Sequence, residues 1–123
     1  VQSRATLGGN LCNGAPSADA VPLLMSIEAR VEIAGKAGRR TVGIDTLPVG
    51  PGKVALAPDE LLVAILLPPR PARSAARYLR FTPRREMDIA IAGSGVAVTV
   101  GEGGEIANAR ITLASVAPVP LRA

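Results

Sequence analysis

Histidine and tryptophan are absent from these 123 residues, and cysteine occurs once. Without histidine the segment builds neither a Ser-His-Asp triad nor a histidine-ligated metal site. One thiol, Cys12, assembles no iron–sulfur cluster, zinc site or internal disulfide. No catalytic residue and no metal ligand is therefore expected here. A lone thiol fits a reducing cytoplasm, the expected location. Cys12 itself reads as a small buried hydrophobe in preference to a reactive thiol. Aromatic residues are limited to Tyr78 and Phe81, so the core must be aliphatic and a stacking platform for single-stranded nucleic acid is thin. The longest strongly apolar stretch, residues 61–67, is far too short to span a bilayer.

What remains is an ordered domain. Apolar residues make up 48% of the chain, which argues against disorder, and a chain of this length can bury most of its apolar surface. The start at Val1-Gln2-Ser3-Arg4 without methionine, and the stop at Leu121-Arg122-Ala123, predict a fragment of a longer chain. The net charge of +4 is moderate but uneven. Arg70, Arg73, Arg77, Arg80, Arg84 and Arg85 crowd one stretch, which can serve nucleic acid, an acidic protein surface or a nucleotide phosphate. A solvated basic face or a subunit contact is the plainer reading.

Along the chain, Asn13-Gly14-Ala15-Pro16 is turn-rich. Ser17 is placed to cap a short buried helix carrying Asp19 in its first turn, with Pro22 early enough to be tolerated. From Ala29 the period becomes two: Ala29, Val31 and Ile33 alternate with Arg30, Glu32 and Ala34 as a half-buried strand. Gly35-Lys36-Ala37-Gly38 turns into a return strand over 39–44. Val49-Gly50-Pro51-Gly52 reads as a loop. Residues 61–67 read as a strand covered on both faces. Pro68-Pro69-Arg70-Pro71 breaks the pattern and marks the domain boundary, giving domains 1–70 and 71–123. Beyond it lie strands over 76–82, 89–100 and 105–117, the last two joined by a hairpin at Gly101-Glu102-Gly103-Gly104.

Four features invite chemistry. Thr6-Leu7-Gly8-Gly9-Asn10 exposes backbone N–H groups where paired glycines carry no side chain, flanked by a hydroxyl and an amide. It is either a plain turn or an anion pocket suited to a diphosphate. Asp19 is either a helix-terminus charge or an acceptor for sugar hydroxyls, and both roles can coexist. Gly93-Ser94-Gly95 lacks the third glycine of a dinucleotide fingerprint and sits within a strand pattern, so it reads as close strand packing or a bulge. The loop Pro83-Arg84-Arg85-Glu86-Met87-Asp88 is either a solvated turn or a charged segment that tunes a field or a partner contact.

Three segments in order, Thr6-Leu7-Gly8-Gly9-Asn10-Leu11, Pro16-Ser17-Ala18-Asp19 and Phe81-Thr82-Pro83-Arg84-Arg85-Glu86-Met87-Asp88-Ile89-Ala90, resemble the flavin-binding subunit of molybdenum hydroxylases. This group includes the medium subunit of carbon monoxide dehydrogenase and the flavin domain of xanthine dehydrogenase. The resemblance implies an α+β fold: the C-terminal part of a mixed α/β FAD-binding (PCMH-like) domain, then the beginning of an antiparallel-sheet C-terminal domain. It implies FAD as cofactor, with molybdopterin on a large partner subunit, 2Fe-2S clusters on a small one, and NAD or a quinone as acceptor. By position, Thr6, Leu7, Gly8, Gly9 and Asn10 match the second of two FAD loops. Asp19 matches a flavin-nucleotide contact, Leu62 a residue touching the flavin, and Arg80 a basic contact near the isoalloxazine. The loop 81–88 resembles a mobile charged segment beside the flavin, with Met87 where some relatives carry a second acid. The family's first FAD loop has no counterpart here. These residues alone are thus expected to bind FAD weakly or not at all, and to leave a sheet edge prone to association.

The leading expectation is an FAD-binding electron-transfer subunit of a molybdenum-containing dehydrogenase. A basic binding module for nucleic acid or an acidic protein is the alternative. A structural subunit that kept the fold without the cofactor is a third, and the intact Gly8, Gly9 and Asn10 speak against it.

Overall fold

The structure, a computed structural model, describes residues 3–84 and 88–123. The chain runs α1 (Leu7–Cys12), α2 (Ala20–Ser26), β1 (Arg30–Gly35), β2 (Gly38–Gly43), a 3-10 turn (Ile44–Thr46), β3 (Pro48–Gly50), β4 (Lys53–Val54), β5 (Leu61–Leu66), β6 (Ser74–Phe81), β7 (Ala92–Val100), β8 (Ile106–Ala114) and β9 (Leu121–Arg122). Three antiparallel sheets result, ordered β2-β1-β5, β3-β4 and β6-β7-β8-β9.

The period-two reading of β1 holds. Ala29, Val31 and Ile33 are buried and join Leu11, Ala18, Val21, Leu24, Met25, Ile44 and Leu47 in one aliphatic core. Helix α2 lies over that face and ends in a left-handed cap. Glu28 takes φ 58°, while the Glu28 and Ala29 N–H groups donate back to the Met25 and Leu24 carbonyls. This double bond pattern closes the helix and turns the chain directly into β1.

Two strand readings change. The stretch 49–52 is not a plain loop, because β3 and β4 pair as a small ribbon around it. Residues 61–66 form strand β5, with Leu67 beyond its end, and the strand is not covered on both faces. Among the described residues β5 pairs only with β1, and Leu61, Val63 and Leu66 are exposed. A register shift opposite Glu32 and Ile33 leaves Val63 out of the pairing, so Leu62 and Ile65 both turn toward the core.

The four-stranded sheet β6-β7-β8-β9, the second of the two that flank α2, packs onto the opposite side of the helix. A Cβ built on Gly95 would overlap the Pro22 backbone, so only glycine lets β7 approach the helix this closely. The buried Thr112 hydroxyl donates at this contact, its single proton shared between the Pro22 carbonyl and the Gly95 carbonyl. Gly93-Ser94-Gly95 is thus close packing, as expected. The other face of this sheet carries Leu79 and Ile111, both exposed. No helix among the described residues is long and apolar enough to cross a membrane.

Candidate functional site

The segment Thr6 to Asn10 is a helix start rather than a free turn. Thr6 is the N-cap of α1, and its Oγ1 accepts from the Gly9 N–H at 3.0 Å. The Asn10 N–H already donates to the Thr6 carbonyl. Two glycines disfavour a helix, so this one depends on its cap and on the buried anchor Leu11. Gly9 has a specific reason to lack a side chain: its Cβ would stand 2.8 Å from Thr6 Oγ1. The amides that precede the intrahelical ladder are those of Leu7 and Gly8. Beside Gly8 lies Leu62, whose Cδ2 is 4.0 Å from where a Cβ would stand.

Asn10 links α1 to the start of α2. Its Oδ1 accepts from the Ala20 N–H at 3.1 Å and so caps α2 from outside. The helix starts after Asp19, not after Ser17, and Asp19 makes no side-chain cap of its own. The Asp19 carboxylate turns toward the second sheet instead. Its Oδ1 accepts from the Tyr78 hydroxyl at 2.7 Å and faces Arg80 Nε at 3.4 Å. Arg80 Nη2 also donates to the Asp88 carbonyl, and Arg84 pairs with Asp88 at 3.6 Å. The fold therefore brings Asn10, Asp19 and Arg80 together, sets Gly8 beside Leu62, and connects both groups through α1. The Arg85, Glu86 and Met87 portion of the charged-loop reading lies outside the described residues.

Tyr78 belongs to this cluster and sequence reasoning missed it. Burial, and then its hydrogen bond to Asp19, push its hydroxyl pKa up, so it stays a protonated donor. The available signal was Gly93 in a strand otherwise rich in β-branched residues. A Cβ there would overlap the Tyr78 hydroxyl.

Other candidates contribute less. Cys12 is exposed rather than buried, because it falls on the solvent side of α1 opposite Leu11. Partial desolvation holds its thiol pKa above the usual value, which keeps it protonated. The arginine stretch does not form one free basic face. Arg70 donates to the Ser74 carbonyl, Arg73 to the Glu102 carbonyl, and Arg80 and Arg84 engage Asp19 and Asp88. A cleft of about 490 Å³ lies elsewhere, between the proline connector and β6 to β8. Its charged lining groups Arg110 and Arg70 are held by Glu28 and the Ser74 carbonyl. Among the described residues no three histidine, cysteine, aspartate or glutamate side chains cluster as a metal site would require.

The residues at the α1–α2 junction fit part of a nucleotide cofactor. Gly8 presents bare backbone to one side, the Asp19 side chain is 45% exposed with Oδ2 unbonded among the described residues, and Arg80 supplies a cation beside it. Comparison with known proteins bears on the same point. Residues 1–70 match the family described as the FAD binding domain in molybdopterin dehydrogenase. Residues 77–123 match the CO dehydrogenase flavoprotein C-terminal domain. The chain is 36% identical to the xanthine dehydrogenase FAD-binding subunit of Escherichia coli O157:H7, over 99% of its own length and 42% of the relative's. It is 34% identical to the carbon monoxide dehydrogenase medium chain of Hydrogenophaga pseudoflava, with the same coverage. A solved carbon monoxide dehydrogenase from that organism superposes with a TM-score of 0.90 at 34% identity, covering 98% of this chain and 41% of that one. The chain thus spans about two fifths of the length of these relatives.

Proposed function

We propose, from the premise that this chain belongs to the family of FAD-binding domains of molybdopterin dehydrogenases, that it forms part of the FAD site of an oxidoreductase subunit. In this reading residues 1–70 complete an FAD-binding domain and residues 71–123 begin the domain packed against it. The observation that carries the reading is convergence: Asp19 and Arg80, distant in sequence, form an ion pair, and Asn10 caps the Ala20 amide next to Asp19.

Each residue has a role its chemistry suits. The Leu7 and Gly8 amides donate to the cofactor's diphosphate, where the absence of a side chain at Gly8 admits close approach. Thr6 and Gly9 shape that turn rather than bind directly, since Thr6 caps the Gly9 N–H. Asn10 holds the two helices in register. Asp19 accepts from hydroxyl groups of the nucleotide through Oδ2. Leu62 gives an apolar wall behind Gly8, and Arg80 sets a positive field beside the ring system. When bound, FAD supplies the redox chemistry that carries electrons from iron–sulfur clusters and a molybdenum centre on partner subunits to an external acceptor, NAD or a quinone.

The test is the full-length subunit. Purified, it should be yellow, with flavin absorbance that the complex's reducing substrate bleaches. A colourless protein that takes up no added FAD contradicts the reading.

A further inference from the structure

We propose that Tyr78 is a positioning residue of the cofactor site: its hydroxyl fixes the Asp19 carboxylate so that Oδ1 is held inside the protein and Oδ2 faces a ligand hydroxyl. The inference rests on the FAD reading above and goes beyond it, by assigning the residue that orients one of its contacts.

A carboxylate on a short side chain turns readily about its last bond, so an isolated aspartate presents either oxygen. Asp19 does not. From β6 the Tyr78 hydroxyl donates to Oδ1 at 2.7 Å, and the Arg80 guanidinium forms an ion pair with the same oxygen, its Nε at 3.4 Å. Oδ2 accepts no hydrogen bond among the described residues, and nearly half of the side chain is exposed. Tyr78 and Arg80 sit on one face of β6, two residues apart, while Asp19 is 59 residues away from Tyr78 in sequence. The lane is kept open on the neighbouring strand. Gly93 pairs with Arg80, and any side chain at that position would occupy the space of the Tyr78 hydroxyl. Tyr78 is the donor suited to this task, since a phenol reaches across a sheet with two torsions and gives one directed proton.

The alternative is a merely structural bond joining α2 to the second sheet. A double-mutant cycle on the full-length subunit separates the two, reading the FAD dissociation constant and the apoprotein Tm for Y78F, D19A and the double variant. Positioning predicts that Y78F weakens FAD by about fivefold to tenfold, the loss of one charge-assisted hydrogen bond. D19A should weaken it further, and Y78F/D19A should be no weaker than D19A. The proposal is overturned if Y78F lowers only Tm while FAD affinity stays unchanged, or if the two losses multiply in the double variant. A wild-type subunit that takes up no FAD removes the underlying reading, and this inference with it.

Discussion

Sheet β2-β1-β5 meets α2 through branched aliphatic side chains, Val31 and Ile33 at 0% exposure, whereas sheet β6-β7-β8-β9 meets the same helix through a glycine and a threonine. The first contact is an oil-filled layer of ordinary thickness. The second brings backbone against backbone, with a hydroxyl bridging carbonyls where no side chain fits. A close contact of that kind stabilises less per residue, but it places β6 near the start of α2. There Tyr78 and Arg80 reach Asp19. The first sheet is thus joined to α2 by side-chain packing and the second by close backbone approach, which sets the Tyr78–Asp19 contact.

The contrast can be broken most severely at Gly95. Gly95→Val drives a side chain into the Pro22 backbone and should destabilise the full-length subunit by about 3 kcal/mol. Ile33→Val in the other sheet should cost about 1 kcal/mol. Urea unfolding of both variants decides it, and a Gly95→Val variant that loses no more than Ile33→Val would show that β7 does not need its close approach to α2. A smaller effect is expected at the hinge between helices. Asn10→Ala removes the external cap on Ala20 and should cost about 1 kcal/mol, with Asn10→Asp restoring most of the lost urea midpoint.

The smallest effect sharpens the comparison by charge. Arg40 hydrogen-bonds Glu60 at 2.7 Å, and this bond, then the Ala57 N–H, lowers the Glu60 pKa from 4.5 to about 2. A carboxylate whose folded pKa is depressed contributes stability above its unfolded value and loses it as pH falls through the folded one. The contribution is therefore complete above about pH 4.5 and disappears toward pH 2. It is small because the pair lies at the surface. Tm measured from pH 6 to 2 should show wild type and Glu60→Gln converging at the acid end. A constant offset would assign the difference to something other than this titration.

Much of the first sheet was legible because alternation is a local signal: Ala29, Val31 and Ile33 declare their face without help from the rest of the chain. Gly93-Ser94-Gly95 was legible for a similar reason, since glycine inside a strand has few other uses. The ribbon β3-β4 and the two-residue β9 were not, because strands so short carry no period. Residues 61–67 misled because composition cannot reveal a bulge or an edge, and both expose side chains here. Within the site, the glycine pair pointed to a turn although Thr6, three residues before Gly9, already encoded a cap. The Tyr78–Asp19 bond was hidden for a plainer reason, since a pairing that distant follows only from how the two sheets flank α2.

In the proposed function the α1–α2 junction, with β6 beside it, grips a nucleotide cofactor. A structure of the full-length subunit loaded with FAD tests it most directly. The account predicts diphosphate oxygens about 3 Å from the Leu7 or Gly8 amides and a nucleotide hydroxyl on Asp19 Oδ2. An FAD molecule seated away from this junction, with those amides and that oxygen bonded to protein instead, would contradict it.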